Sequence, residues 1–180
     1  MTTHTKAIAH TIATPDGPFT IIATENAQVL ASGWTSDAAG LAERINRRIR
    51  PDSLVTSATP AAEAVVAYYD GEPSRLASVE VLQHGTELQH LGWSTLRQVG
   101  PGQPVSYAEF AELLERPSAV RAAAAICARN AAGLFVPCHR VLRTDGSLGG
   151  FAWGTHIKQS LLDRESGGER GLDNTAFFTI

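Results

Sequence analysis

Strand-like runs crowd the first part of this chain, and helical periodicity fills most of the chain after Thr86. The pattern changes once, near His84-Gly85, and no segment repeats. Strands followed by helices, rather than alternating with them, mark an α+β chain or two units in series. With 180 residues there is room for one large domain or two small ones. The expectation is an α+β two-domain chain: an N-terminal α/β unit over 1–84, a mostly helical unit over 85–166, and a loosely held polar, Gly-rich tail over 167–180.

In the first unit, Phe19-Thr-Ile-Ile-Ala-Thr24 is β-branched and follows the turn signal Pro15-Asp-Gly17. Val29-Leu-Ala-Ser-Gly-Trp34 reads as the next strand of a meander. Leu41, Ile45 and Ile49 recur every four residues with Arg44, Arg47 and Arg48 between them, which predicts an amphipathic helix over 41–49. A second helix is expected over 61–69, ended by Asp70-Gly71, and a short strand over 79–82.

No apolar run approaches the roughly 20 residues that a membrane span needs. The opening Met1-Thr-Thr-His-Thr-Lys6 has no apolar stretch suited to a signal peptide. A cytoplasmic protein without a membrane partner is expected. Two cysteines, Cys127 and Cys138, make neither a disulfide framework nor a zinc spacing, and the six histidines are scattered, so no metal is expected. A net charge of −3 argues against a strongly electrostatic nucleic-acid binder. Yet Arg116, Arg121, Arg129, Arg140 and Arg143 fall in a stretch free of Asp and Glu, which gives a small basic face and weak attraction to phosphates.

Two helices are expected here, one leading into that basic stretch and one inside it. Ser106-Tyr-Ala-Glu109 is a capping box, and the helix it starts carries Tyr107, Phe110, Ala111 and Leu114 on one side. Glu115-Arg-Pro117 breaks it, and Ser118 can cap a second helix over 119–129, the pattern of a helix-turn-helix. Ala122-Ala-Ala-Ala125 leaves the second helix nearly bare behind Arg121. Such a helix either packs tightly on a neighbour or enters a groove closely.

Leu134-Phe-Val136 reads as a buried strand running into Pro137-Cys-His-Arg-Val141. Pro137 stiffens the backbone where Cys138 appears. A thiol with an ordinary pKa of about 8.5 is only slightly ionised at neutral pH, so a reactive cysteine needs help. His139 is the candidate base and Arg140 adds positive potential. Neighbours in an extended chain point to opposite faces, so a direct Cys–His bond needs a turn, a helix start or a bridging water. Asp163 or Glu165, in the amphipathic stretch 157–165, could orient the imidazole.

Pro137-Cys-His-Arg-Val141 resembles the signature of the methylated-DNA–protein-cysteine S-methyltransferases, the O6-alkylguanine-DNA alkyltransferases. Thr14-Pro-Asp-Gly-Pro-Phe19, Tyr68-Tyr-Asp-Gly-Glu72, Gly85-Thr-Glu-Leu-Gln89, Ser106-Tyr107 and Ala119-Val-Arg121 also resemble family blocks. So do Asn130, Gly146, Gly149-Gly-Phe151 and Leu161-Leu-Asp-Arg-Glu165. The resemblance spans residues 12–166 and is most specific over 104–165.

It implies an N-terminal ribonuclease-H-like α/β domain and a helical C-terminal domain whose helix-turn-helix docks in the minor groove. The substrate implied is double-stranded DNA containing O6-alkylguanine, with O4-alkylthymine as a further candidate. The alkyl group would pass irreversibly to Cys138, with no cofactor and one turnover per monomeric chain. His139 would act as base through water, Glu165 would orient it, and Asn130 would fasten the recognition helix to the active-site segment. Tyr107 would crowd the 3′ phosphate and donate a proton to the departing purine. Arg121 would fill the gap left by the flipped base, with Ala122 and Ala125 letting the helix approach the groove floor. Cys127, Val141, Phe151 and Ala152 would line the pocket, Val141 through its carbonyl and Ala152 through its N–H.

Some residues depart from the family pattern. Phe151 stands where Tyr is usual, Ala152 where Ser is common, and Ala131 where Pro often follows the asparagine. Leu88-Gln-His-Leu-Gly-Trp93 replaces Phe-Gln-x-x-Val-Trp, and Gly92 is expected to loosen packing there. The N-domain zinc ligands of some relatives are absent. Three rival readings remain: a binder of alkylated guanine that performs no repair, a cysteine hydrolase built on Cys138, His139 and Glu165, and a transcription factor reading sequence with 107–129. The presence of Cys138 argues against the first, a stoichiometric burst would argue against the second, and the scarcity of base-reading side chains argues against the third.

Overall fold

In the computed structural model, which describes residues 4–177 apart from the side chains of 168–177, the turn at Pro15-Asp16 folds β1 (Lys6–Thr14) back on β2 (Gly17–Ala23). β3 (Val29–Gly33) continues antiparallel beside β2, with a bulge at Ile22/Ala23. β4 (Ser53–Thr56) then crosses over to lie parallel to β1, giving the order β3-β2-β1-β4. The meander was legible. β1 falls in the part read as β structure, whereas β4, four mostly exposed residues, carries little periodic signal and was not read.

The helix expected over 41–49 is a correction. α1 (Ala38–Ala42) is barely more than one turn, capped by Asp37, whose Oδ1 accepts from Gly40 N at 2.9 Å. Leu41 and Ile45 are both buried, as their spacing suggests, but tight turns follow. Asn46 Oδ1 accepts from Arg48 N, and the Arg50 guanidinium bonds the carbonyls of Glu43 and Ile45, so side chains take the groups that a longer helix would use.

α2 (Ala61–Tyr69) covers the sheet. The strand expected over 79–82 is a single bridge, Val29 to Val81, after a short helical turn at Pro73–Ser78. α3 (Glu87–Leu96) begins on a capping box formed by Thr86 and Gln89. Gly92 does not loosen it. A Cβ there would sit 2.6 Å from Ile126 Cγ2, so glycine is what lets α3 approach its neighbour, contrary to expectation.

After a two-residue strand β5 (Val105–Ser106), α4 (Tyr107–Leu113) starts on the expected capping box, Glu109 N donating to Ser106 Oγ at 3.0 Å and Ser106 N to Glu109 Oε2 at 2.7 Å. α5 (Val120–Ala128) follows a turn in which Glu115 adopts a φ of 57°. Its N-cap is Ala119 without a side-chain bond, so Ser118 does not cap it as expected. Leu134-Phe-Val136 is buried but is not a strand: Leu134 has a φ of 74° and Val136 N closes a tight turn on Ala132 O. A short helical turn, Cys138–Arg140, leads into β6 (Val141–Leu142), parallel to β5, and α6 (Thr155–Phe177) closes the chain. The tail expected from 167 lies, past Gly167, outside the described side chains. One apolar cluster threads both halves, including Phe19, Val65, Trp93, Phe110, Phe135 and Leu161. Among the described residues no helix is long and apolar enough to cross a membrane.

Candidate active site

The chain leaves α5 at Asn130 and is fastened at once to the edge of the sheet. Ser32 N donates to Ala131 O and Gly133 N to Ser32 O, both at 2.9 Å, while Ser32 Oγ donates to Gly133 O at 2.7 Å. Asn130, 4% exposed, uses both ends of its amide. Nδ2 donates to Val136 O at 2.8 Å and to Cys138 Sγ at 3.3 Å; Oδ1 accepts from Ala132 N and from Gln83 Nε2, each at 3.0 Å. One side chain thus ties the end of α5, the turn before Pro137 and the thiol into a single unit.

Burial pushes the Cys138 thiol up, and the Asn130 bond and the positive charges of Lys158 and Arg44 oppose that rise. A protonated thiol at neutral pH follows, sitting in surroundings that soften the cost of ionising it. Cys127 is pushed up chiefly by burial as well, and further by Cys138.

The His139 ring is buried in the protein, where Nε2 lies 2.7 Å from Glu165 Oε1, both side chains being essentially sealed from solvent. Burial lowers the pKa of the imidazole against the opposing pull of Glu165, which keeps it neutral. Its Nδ1 is buried and, among the described residues, has no hydrogen-bond partner. Arg140 grips the same carboxylate through Nε at 3.0 Å and Nη2 at 2.9 Å, and Nη1 bonds Val99 O at 2.6 Å. Burial alone would raise the Glu165 pKa, but the bonds and charges of His139 and Arg140 prevail and hold it at about 2. Tyr68 OH also reaches Oε1, at 3.0 Å. Of the two carboxylates open to His139, the partner is Glu165; Asp163 is exposed and accepts from Gln159.

Cys138 opens onto a largely apolar cavity of about 330 Å³. Tyr107, Cys127, Asn130, Phe151 and Ala152, all expected at the site, line it with Arg44, Ala124, Ala128, Gly133, Gly150 and Trp153. Burial, aided by the two cysteines, pushes the Tyr107 phenol up to about 12, so it keeps its proton. Phe151 packs on Trp34 with ring centroids 5.8 Å apart. Val141 is not in the lining: its side chain is fully buried and its carbonyl accepts from Lys158 Nζ at 2.7 Å. Arg121 and Ala125 are exposed on α5 and Ala122 is half-buried, outside the cavity but on the helix that supplies Ala124 and Ala128 to its wall.

Three large side chains at the site were not foreseen. Lys158, 1% exposed, spans the loop after β6 by bonding the carbonyls of Val141, Leu148 and Gly150. Arg44 was read as the solvent face of a helix. Instead it bonds the carbonyls of Ala128 and Asn130 and stacks over Trp153, its Cζ 5.3 Å from the ring centroid. Trp153 lies so close to the sheet that a Cβ on Gly33 would fall 2.1 Å from its ring. No local signal marks a lysine or arginine whose partners are backbone carbonyls distant in sequence. Among the described residues no group of His, Cys, Asp and Glu could hold a metal ion.

Residues 87–167 match the family model of the 6-O-methylguanine DNA methyltransferase DNA-binding domain. The chain is 30% identical over 164 residues to a methylated-DNA–protein-cysteine methyltransferase of Shigella flexneri, covering 89% of this chain and 96% of that one. It is 45% identical over 85 residues to the bifunctional transcriptional activator/DNA repair enzyme Ada of Escherichia coli; the match takes in 47% of this chain but 24% of Ada. Among solved structures, O6-methylguanine methyltransferase of Mycobacterium tuberculosis superposes with a TM-score of 0.73 at 27% identity, over 89% of this chain and 93% of that one. The same organism's protein in complex with DNA gives a TM-score of 0.73 at 28% identity over the same shares. The mixed α/β fold is therefore that of these structures.

Proposed function

This chain belongs to the methylated-DNA–protein-cysteine methyltransferase family, and on that basis we propose that it repairs O6-alkylguanine in duplex DNA by taking the alkyl group onto Cys138. The observation that carries this reading is the thiol itself. Cys138 faces an apolar cavity, accepts a hydrogen bond from Asn130, and is followed in the chain by a buried neutral imidazole backed by Glu165. The relatives' names and the DNA complex of the Mycobacterium protein support DNA as the partner.

The reaction is a displacement at an sp³ carbon. His139 Nδ1, unpartnered among the described residues, takes the thiol proton through a bridging water, and Glu165, itself gripped by Arg140, holds the ring while it becomes cationic. The sulfur lone pair forms the S–C bond as the C–O6 bond breaks, and its electron pair moves into the guanine. A proton from the neutral Tyr107 hydroxyl discharges the purine, which stays in the DNA. A thioether does not hydrolyse, so each chain acts once.

To reach the cavity the base must leave the stack, at a cost of a few kcal/mol. On this reading α4 and α5 form the helix-turn-helix, α5 lies in the minor groove with Ala122 and Ala125 on the groove floor, and Arg121 occupies the vacated stack. The four-stranded sheet belongs to a ribonuclease-H-like N-terminal domain ending near residue 84, and 85–166 carries the chemistry. Val141 O keeps a second lone pair for the guanine amino group beside its bond to Lys158.

Duplex DNA containing O6-methylguanine, incubated with the reduced protein, is expected to add one methyl group per chain, on the peptide containing Cys138. A Cys138→Ala variant is expected to add none. A folded, reduced chain left unmodified by that DNA would refute the reading, and continuous turnover would favour a hydrolase instead.

A further inference from the structure

We propose that Tyr68 is a positioning residue for this reaction: its hydroxyl, delivered by α2 from the N-terminal half, holds the Glu165 carboxylate and limits its pull on His139. The inference rests on the alkyl-transfer reading above and adds a residue that lies outside the span matched by the DNA-binding-domain family model.

A carboxylate offers about four lone-pair sites. Here Oε2 takes Arg140 Nε, while Oε1 takes Arg140 Nη2 at 2.9 Å, His139 Nε2 at 2.7 Å and Tyr68 OH at 3.0 Å. Two of the three side chains gripping Glu165 come from the segment that carries Cys138. Tyr68 comes from 97 residues upstream of Glu165 and, at 2% exposed, is packed in the core. Burial, reinforced by the charge on Glu165, pushes the ionisation of its phenol far above the usual range, so it donates at every working pH.

Donors on one oxygen share its charge. With the phenol in place, less negative charge is left to stabilise an imidazolium, and the carboxylate cannot rotate away from the ring. With the phenol gone, Glu165 becomes more basic and the proton affinity of His139 rises. The other charges acting on the ring, Arg140 beside it in the chain and Lys158 on α6, both disfavour its protonation and are untouched by the change. Tyr69 and Arg140 are the further groups acting on the Tyr68 hydroxyl.

Tyr68→Phe in the full chain removes only that oxygen. A hydrogen bond to a charged group is strong enough to move the His139 titration up by about one pH unit. The single-turnover rate of alkyl transfer from O6-methylguanine DNA is expected to fall up to about tenfold on the acid side and converge with the parent at high pH. Affinity for undamaged duplex DNA is expected to stay the same. The His139 titration is followed by ¹⁵N NMR of the imidazole, which needs no substrate. It therefore reads this inference even if Cys138 takes up no methyl, an outcome that would overturn the functional reading alone.

An unshifted titration and a superimposable acid limb in folded Tyr68→Phe would overturn the proposal. Should the variant be poorly stable, the titrations are compared at reduced temperature where it is folded, and Tyr68→Phe is also placed in a Glu165→Gln background. No further shift of the His139 titration is expected there, and a shift as large as in the parent background would show that the hydroxyl does not act through the carboxylate.

Discussion

Truncating Asn130 to alanine tests whether one buried amide holds the reactive segment together. The side chain makes four hydrogen bonds, to Val136 O, Cys138 Sγ, Ala132 N and Gln83 Nε2. Asn130→Ala leaves the buried Ala132 N–H without its partner, while the Val136 carbonyl loses one of two bonds and keeps the one from Cys138 N at 2.8 Å. Each buried polar group left unpaired costs about 1–3 kcal/mol. The half-buried Gln83 amide can turn towards water and adds little. A loss of about 2–4 kcal/mol is expected, measured by urea unfolding of parent and variant at pH 7. The thiol provides a second reading. The Asn130 bond is the foremost influence lowering the Cys138 pKa, so the pH midpoint for alkylation by iodoacetamide is expected to move upward in the variant. Transfer from O6-methylguanine DNA should slow accordingly. A variant that loses less than about 1 kcal/mol and keeps the parent's iodoacetamide profile would refute the claim that this amide organises the site.

Glu165 links stability to acid. Its folded pKa of about 2 lies below the free value of 4.5, so its contribution is complete above pH 4.5 and is lost as pH falls towards 2. That drop of about 2.5 in pKa corresponds to about 3 kcal/mol, and parent stability in urea titrations that stays flat from pH 4.5 to 3 would contradict it. Gly33→Ala places a Cβ 2.1 Å from the Trp153 ring, so the ring must move; a loss of about 1–3 kcal/mol in thermal unfolding is expected. Arg121 is exposed, so Arg121→Ala should leave the melting temperature unchanged. In salt titrations of DNA binding it should weaken affinity, and any lost phosphate contact would reduce the slope by about one.

Local chemistry was legible where it is decided within a few residues. The capping box at Ser106 and Glu109 needs only a hydroxyl and a carboxylate three positions apart, and it forms as read. The β-branched run of β2 and the apolar segment of β3 beyond it could be read for the same reason. The sequence misled where side chains compete for backbone groups. Leu41 and Ile45 are buried at helical spacing, yet Asn46 and Arg50 divert the donors and acceptors that the helix would use. Leu134-Phe-Val136 has the apolarity of a strand and the left-handed backbone of a turn.

The reactive motif and its chemistry are written in the residues themselves: a cysteine after proline, a histidine beside it, an alanine-lined helix upstream, and the family that shares them. Which carboxylate faces His139, which cations surround the thiol, and how a tryptophan and an arginine shape the cavity were decided when distant segments packed together. Arg44 reaches Asn130 O across 86 residues and Tyr68 reaches Glu165 across 97. Their partners are backbone carbonyls and one shared carboxylate, groups whose positions exist only in the folded chain. The composition of a segment states what it can bond to; the packing of the others decides what it does bond to.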